Sequence, residues 1–161
     1  MDYMTEMARM CAEARAGADA LQAAGEDGRT RALKAMADAI RAASPEILAA
    51  NASEVETARQ KGADKAFVDR LTLDQERLDG VADGVATIAE QDDPVGVEKR
   101  RWKRPNGLEI AEVSIPLGVI GVIFESRPNV AADAAALCVR AGNGVILRGG
   151  SEAAGAAAEI V

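Results

Sequence analysis

The segment VIGVIFESRPNVAADAAALCVRAGNGVILRGG, residues 119–150, decides the fold of this chain. Its two short apolar runs, 119–124 and 145–147, are typical of strands, and the alanine-rich stretch 130–141 between them is typical of a helix. A strand, a helix and a strand in this order predict a βαβ unit and therefore a parallel sheet. The runs are continuously apolar, which predicts that both strands are buried on both faces. Because a sheet of two strands is unfinished, we expect the chain to be part of a longer protein.

The region before this segment is predicted to be helical. Apolar residues recur at intervals of three and four from Met4 to Leu21, which predicts a first helix with one apolar face that includes Cys11. The cluster 25–28, Gly-Glu-Asp-Gly, is expected to break it. A second helix is predicted to run to Ala43, and a third to begin with Ser44 as its N-cap, since a proline and a glutamate follow.

The remaining signals complete the helical region. Gly62 is predicted to end the third helix. Thr72 has the spacing of a capping box and is predicted to cap a fourth helix, whose apolar face runs from Leu78 to Ile88. Asp93, followed by a proline, is predicted to end that helix.

A β-hairpin is predicted between the helices and the βαβ unit. Residues 99–103 and 108–115 have strand character, and they flank Arg-Pro-Asn-Gly at 104–107, which is typical of a turn. The predicted fold class is therefore α/β: a helical N-terminal region, a hairpin, and the start of a parallel sheet with a last helix from Ser151 onward.

Composition excludes several kinds of site. The 161 residues contain no histidine, which excludes Ser-His-Asp and Cys-His catalysis and every metal site that needs imidazole; no metal site is predicted. Two cysteines, Cys11 and Cys138, are too few for a disulfide framework, so we expect a reducing, cytoplasmic setting. Each cysteine is predicted to be buried among apolar neighbours rather than to act as a nucleophile.

Charge and hydropathy bear on the partners. Residues 1–98 carry 11 basic and 20 acidic side chains, whereas residues 99–161 carry 8 basic and 6 acidic ones. An acidic first part argues against a nucleic-acid partner, although the basic run KRRWKRP, residues 99–105, contains an aromatic residue among cations. The longest apolar run, 115–124, is shorter than the roughly 18 residues that a membrane span needs, so no membrane partner is expected. The mildly basic second part suits an anionic small molecule.

The ends of the two predicted parallel strands are the candidate site. Ligands of open α/β sheets bind beyond the carboxyl ends of the strands, and here these ends are ESRPN, residues 125–129, and RGGSE, residues 148–152. Glycines at 149 and 150 would let the backbone approach a ligand, and a helix beginning near Ser151 would offer free N–H groups. Arg148 could bind a phosphate, or could instead be a structural residue paired with an acid such as Glu152.

Several motifs resemble one family. PLGVIGVIFESRPNV, residues 116–130, and GNGVILRGGSEA, residues 142–153, are similar to gamma-glutamyl phosphate reductases (glutamate-5-semialdehyde dehydrogenases) of the aldehyde dehydrogenase superfamily. ILAAN, DRLTL and DPVG earlier in the chain resemble the same family. The resemblance covers essentially the whole chain and implies the N-terminal portion of an aldehyde dehydrogenase-like fold with a Rossmann-like sheet.

The resemblance implies a domain division and an activity. Residues 1–98 would be the helical part of the cofactor-binding domain, 99–115 an oligomerisation hairpin, and 116–161 the first βαβα of that domain, with the catalytic domain absent from this chain. The implied activity is the second step of proline biosynthesis, in which NADPH reduces gamma-glutamyl phosphate to glutamate 5-semialdehyde with release of phosphate. A cysteine thiolate would displace the phosphate to form a thioester, and that cysteine would belong to a later segment.

The resemblance also implies residue roles. In the superfamily, a lysine at the end of the second strand and a polar residue three positions later hold the adenosine ribose, and Arg148 and Ser151 match those positions. Arginine with serine suits the 2′-phosphate of NADP(H), so the cofactor-binding residues are predicted to be Arg148, Gly149, Gly150, Ser151 and Glu152. Asn129 is predicted to donate a hydrogen bond to the substrate carbonyl, and Arg127, which matches the superfamily's asparagine position, to contact the substrate phosphate or carboxylate.

Three interpretations stay open at this stage. The chain could be part of a homo-oligomeric reductase, a non-catalytic helical interaction module or regulatory remnant, or part of a superfamily member that acts on another aldehyde. Reading the coding sequence past Val161 would discriminate between them: a cysteine about a hundred residues further on favours the enzyme, and a stop codon favours the remnant.

Overall fold

The computed structural model describes residues 2–161; Met1, where the first predicted domain begins, lies outside the described residues. The helices are α1 (Tyr3–Ala42), α2 (Ser44–Gln60), α3 (Lys65–Leu71), α4 (Gln75–Ala89), α5 (Asn129–Arg140) and α6 (Ala154–Ile160), the last preceded by a 3₁₀ turn at Ser151–Ala153. The strands are β1 (Glu98–Lys103), β2 (Glu109–Val113), β3 (Val119–Ile123) and β4 (Gly144–Arg148). In the part of the chain that the structure describes, no helix has both the length and the apolar character needed to cross a membrane.

The predicted βαβ unit is confirmed. β3 and β4 pair in parallel, in a register that runs from Val119 opposite Gly144 to Ile123 opposite Arg148, and α5 is the crossover helix. Gly142 ends α5 in the left-handed region at φ 70°, and Asn143 N–H donates to the Cys138 carbonyl at 2.8 Å. This glycine-terminated turn satisfies carbonyls of the last helical turn and leads the chain directly into β4.

The predicted burial of both strand faces is wrong for this chain. β3 is at most half-buried, and the Ile123 side chain at its carboxyl end is 87% exposed. β4 is more protected, because α1 passes so close that a Cβ on Gly144 would lie 2.1 Å from the carbonyl oxygen of Ala14. Among residues 2–161 this sheet has only two strands, so β3 is an edge strand and each of its side chains stays at least partly exposed.

The first predicted helix has the expected break but not the expected buried face. Helix α1 is interrupted at Gly25, which has φ 67° and ψ −173°, whereas the residues on either side, including 26–28, are helical. The predicted break is therefore one residue long. Met4 and Met7 are 75% and 47% exposed and Cys11 is also exposed, because the first turns of α1 extend past the elements that bury Ala18.

Two residues predicted to cap helices do not do so, because the hydroxyl of each donates a hydrogen bond to a backbone carbonyl of the preceding helix. Ser44 does not cap α2, because its hydroxyl donates to the Arg41 carbonyl at 2.8 Å. Thr72 does not cap α4. It is the C-cap of α3, a helix that was not predicted from the sequence, and its hydroxyl donates to the Val68 carbonyl at 2.7 Å. Asp74 caps α4 instead and accepts a hydrogen bond from Arg77 N–H at 2.8 Å. The end of α2 at Gly62, where φ is 79°, is confirmed.

The core lies where α1, α2, α4 and α5 meet. Its buried residues are aliphatic throughout: Leu33, Ala37, Ile40, Ile47, Leu78, Val81, Ala82, Val85, Ile88, Ala89, Ala132 and Ala136. Alanines on α5 let it approach α4 closely, which brings the βαβ unit onto the helical region.

A buried ion pair closes one end of this core. α4 ends at Ala89 rather than at the predicted Asp93. Asp93 instead reaches the guanidinium of Arg29 at 2.5 Å, and Arg29 is 2% exposed. The same arginine donates to the Leu21 carbonyl at 3.2 Å, so it joins both halves of α1 to the chain that leaves α4.

The predicted hairpin is confirmed. β1 and β2 pair antiparallel, with Arg101 opposite Ala111, and Arg104 N–H donates to the Leu108 carbonyl at 2.8 Å to close the turn. Gly107 has φ 89°, a conformation that favours glycine. Almost every residue of the hairpin is exposed.

Candidate functional site

Both predicted strand ends lie at one edge of the parallel pair. Ile123 is opposite Arg148 in the register, and Phe124 N–H donates to the Arg148 carbonyl at 3.1 Å. Beyond this edge is an open cleft of about 540 Å³, lined by residues of both strand ends and by Phe67 of α3. We call it the strand-end cleft.

Arg148 projects an exposed guanidinium into the strand-end cleft. The guanidinium donates to the neighbouring Gly149 carbonyl, and it forms no ion pair with an acid among residues 2–161. Glu152, the acid expected in the structural alternative, instead accepts a hydrogen bond from the Ser126 hydroxyl at 3.3 Å. The positive charge of Arg148 is therefore available to an anion.

Packing explains the two glycines after Arg148. A Cβ on Gly149 would lie 3.0 Å from the ring of Phe124. A Cβ on Gly150 would lie 2.8 Å from a carboxylate oxygen of Glu152 and 3.0 Å from the Ser126 hydroxyl. A side chain at either position would push against the end of β3, so the glycines let the two strand ends form one surface.

The predicted helix does begin at Ser151, but it begins as a 3₁₀ turn, and amides at the start of α6 are not free as predicted. Residues 151–153 form a 3₁₀ turn, and α6 begins only at Ala154. The carboxylate of Glu54 on α2 accepts hydrogen bonds from Gly155 N–H at 2.6 Å and from Ala156 N–H at 3.4 Å. Because Glu54 already satisfies these donors, the anion-binding capacity of the edge rests on Arg148 and nearby hydroxyls rather than on a helix dipole.

Arg127 and Asn129 face a different cleft. They line an opening of about 420 Å³ between the start of α5 and the α3–α4 region, which we call the lateral cleft. The amide of Asn129 donates to the Asp133 carboxylate at 3.1 Å. The structure thus brings Arg148, Gly149, Gly150 and Glu152 together in one cleft and places Arg127 and Asn129 in the other. Ser151 lines neither of them and faces an opening beside Lys61 of the α2 end instead.

Charged side chains dominate the lateral cleft. Asp69 and Arg77 form an ion pair at 2.8 Å, and Arg77 also donates to the Asp69 and Thr72 carbonyls. Within residues 2–161, Arg70 and Arg127 form no ion pair, and Asp133 has no cationic partner within 4.0 Å.

Sequence reasoning missed residues of both clefts, and it also missed Glu54, which caps α6 from outside them. Ser126 lies inside a quoted motif, and its position directly after a strand was a usable signal. Arg70 lies on α3, a helix of only seven residues, which is too short to show a helical period. Glu54 acts through the fold, and no local pattern could have indicated its contact with Gly155.

The cysteines lie in contrasting environments. Cys138 is buried on α5, as predicted, and burial raises the pKa of its thiol above the ordinary value. Cys11 is exposed, so its predicted burial is wrong.

We expect the two thiols to react at very different rates with a water-soluble disulfide reagent. Cys11 should react at once in the native chain, whereas Cys138 should react only after urea unfolds the chain, because the thiolate is the reacting species and burial disfavours it. A spectrophotometric thiol assay measures both phases, and Cys11→Ser should remove only the fast one. Two fast thiols in the native parent chain, or a fast thiol in native Cys11→Ser, would contradict this assignment.

The fold and its strand edge define an α/β protein built on a parallel βαβ unit. No protein-family model matches the chain. The gamma-glutamyl phosphate reductase of Caulobacter sp. (strain K31) is 59% identical over 152 residues, 94% of this chain and 36% of the relative. That of Nitrobacter winogradskyi is 54% identical over 151 residues, 94% of this chain and 35% of the relative.

Solved structures agree with these relatives. The gamma-glutamyl phosphate reductase of Thermotoga maritima superposes with a TM-score of 0.92 at 37% identity, over 96% of this chain and 37% of that one. The enzyme of Saccharomyces cerevisiae gives 0.88 at 33% identity, over 94% and 39%. The predicted resemblance is confirmed: over nearly its whole length, this chain is similar to the N-terminal part of gamma-glutamyl phosphate reductases. The chain spans about 36% of the first of these relatives.

Proposed function

We propose that this chain is the N-terminal part of an NADPH-dependent oxidoreductase that converts gamma-glutamyl phosphate to glutamate 5-semialdehyde and phosphate, the second step of proline biosynthesis. The observation that carries the proposal is the 59% identity to a gamma-glutamyl phosphate reductase over 94% of the chain. The relatives' names supply the substrate and the reduction, whereas NADPH rests on the chemistry of the strand-end cleft; the chain spans about a third of the relatives' length.

The donor chemistry of the strand-end cleft fits the phosphorylated ribose of NADP(H). Arg148 offers a guanidinium without an acidic partner in the described range, and Ser126, which lines the same cleft, offers a hydroxyl. In this proposal Arg148 binds the 2′-phosphate, Ser151 and Glu152 bind the ribose, and Gly149 and Gly150 give the backbone room to approach it. NADPH bound there would supply the hydride.

The lateral cleft fits the other reactant. In this proposal Asn129 donates a hydrogen bond to the carbonyl oxygen of gamma-glutamyl phosphate, and Arg127 contacts an anionic group of the same molecule. Asp133 orients the Asn129 amide through their 3.1 Å hydrogen bond. A fixed amide of this kind stabilises negative charge on a carbonyl oxygen during acyl transfer.

The division of the chain is also part of the proposal. Residues 1–98 and 116–161 together form the first part of a Rossmann-like cofactor-binding domain, and the exposed hairpin within residues 99–115 contacts another subunit of a homo-oligomer. A cytoplasmic location fits a chain with one exposed and one buried free cysteine.

A hybrid enzyme tests the proposed function. In the Caulobacter relative, the segment that matches this chain is replaced by this chain, and NADPH oxidation is measured with chemically made gamma-glutamyl phosphate. We expect turnover within about tenfold of the relative itself, since the replaced segments are 59% identical. A folded hybrid that reduces no gamma-glutamyl phosphate would contradict the proposal.

We expect the isolated chain to have no reductase activity. Cys138 is buried and Cys11 lies on α1, away from both clefts, so neither is placed to attack an acyl phosphate. The assay uses NADPH with gamma-glutamyl phosphate, and the semialdehyde with NADP and phosphate in reverse. Turnover that persists when both cysteines are replaced by serine would show that the chemistry needs no cysteine thiolate.

A further inference from the structure

The lateral cleft has more charged groups than the proposed roles of Arg127 and Asn129 use. Arg70 of α3 and Asp133 of α5 line the same cleft as those two residues. Asp69 and Arg77 neutralise each other at 2.8 Å. Among the residues that line the lateral cleft, those without an ion-pair partner in the described part of the chain are therefore Arg70, Arg127 and Asp133, two cations and one anion.

The substrate of the proposed function has the inverse set of charges. Gamma-glutamyl phosphate bears a phosphate at one end and an amino-acid head, with an α-carboxylate and an α-ammonium, at the other. Two anionic groups and one cationic group thus meet two cations and one anion in the cleft. The cleft of about 420 Å³ is also large enough to hold a molecule of this size.

We propose that Arg70 and Asp133 bind the amino-acid head of the substrate, Arg70 through the α-carboxylate and Asp133 through the α-ammonium. This assignment rests on the proposed function. The phosphate is attached to the carbonyl that Asn129 is proposed to contact, so the neighbouring Arg127 lies at the phosphate end. Arg70 belongs to a different helix, α3, on the other side of the cleft. We therefore assign it to the α-carboxylate, which lies at the end of the substrate away from the phosphate.

The geometry of each group suits its assigned partner. A guanidinium binds a carboxylate through two parallel hydrogen bonds, and Arg70 is exposed and free to turn into the cleft. Asp133 is half-buried and keeps acceptor capacity beyond the one hydrogen bond from Asn129. The Asp133 carboxylate then contacts both the α-ammonium of the substrate and the amide of Asn129. Binding of the amino-acid head therefore helps to position the substrate carbonyl against Asn129.

Three aldehydes test the assignment in the hybrid enzyme, run in reverse with NADP and phosphate. Glutamate 5-semialdehyde has both head groups, 5-oxopentanoate lacks the ammonium, and pentanal lacks both. Arg70→Gln should raise the KM about ten- to a hundredfold for the first two and leave pentanal unchanged. Asp133→Asn should raise the KM for the semialdehyde alone, and it should lower kcat for all three aldehydes, because Asp133 also orients the Asn129 amide. Arg70→Lys should recover part of the loss, and Arg31→Gln, an exposed arginine outside the cleft, is the matched control.

Binding of L-glutamate separates this assignment from the proposed function. L-Glutamate has the same head, and its binding to the folded hybrid is measured by calorimetry without any turnover. We expect binding that Arg70→Gln abolishes and Arg31→Gln preserves. The assignment would be overturned if L-glutamate bound equally to both variants or did not bind to the unsubstituted hybrid. An equal rise in KM for all three aldehydes in Arg70→Gln would also overturn it. A hybrid that binds L-glutamate through Arg70 but reduces no acyl phosphate would refute only the proposed function.

Discussion

Asp93→Ala is expected to destabilise the chain by about 3 to 5 kcal/mol, because it leaves the guanidinium of Arg29 buried without a countercharge. The two side chains meet at 2.5 Å, with 3% of the Arg29 side chain and 14% of the Asp93 side chain exposed. The Nε of Arg29 already lacks a partner among the described residues, so little remains to compensate the charge. Urea unfolding followed by circular dichroism measures the loss as a lower midpoint.

A neighbouring residue and a double variant show whether the charge is responsible. Asp92→Ala removes an exposed carboxylate one position earlier and should leave the midpoint nearly unchanged. Adding Arg29→Met to Asp93→Ala removes the buried charge itself and should restore most of the lost stability, because apolar replacements of a buried pair cost little. If Asp93→Ala and Asp92→Ala unfold at the same urea concentration, the ion pair does not stabilise the core.

Arg148→Ala is expected to raise the KM for NADPH in the hybrid enzyme about ten- to a hundredfold and to leave the use of NADH nearly unchanged. A charge-assisted hydrogen bond is worth about 1.5 to 3 kcal/mol, and NADH has no 2′-phosphate to receive it. Arg148 is suited to this role because its guanidinium is exposed at the strand end and Glu152 is hydrogen-bonded to Ser126 instead.

Steady-state kinetics with both cofactors check this expectation. Arg31→Ala, on the exposed face of α1, is the matched control and should change neither KM. Equal losses with NADPH and NADH would make Arg148 a structural residue, and the preference for NADP(H) would then need another source.

Periodic and glycine-marked parts of the fold were predictable from the sequence, because their causes are local. The βαβ order, the hairpin turn and the end of α5 at Gly142 each depend on a few adjacent residues. The caps at Ser44 and Thr72 were wrong, since in each case a hydroxyl prefers a carbonyl of the preceding helix. The predicted burial of β3 was wrong, because burial depends on which other elements cover the strand. The apolar pattern of the strand itself gives no information about those elements.

The site was predictable only in part. The pairing of β3 with β4 brings the predicted Arg148 and Gly150 to the same edge as Ser126, and the rule that ligands bind at strand ends led to that edge. The separation of Arg127 and Asn129 into a second cleft follows from how α5 packs against α4, which is a tertiary effect.

The contact between Glu54 and the start of α6 has a consequence for folding kinetics. Glu54 and Gly155 are 101 positions apart, so the chain must close a very long loop before this carboxylate reaches the amides that it caps. Contacts of such sequence separation slow folding, whereas the backbone hydrogen bonds within each helix of the first ninety residues are local. We therefore expect the turn that follows Arg148 to adopt its final shape only after α2 is in place, so that this edge of the sheet is completed late.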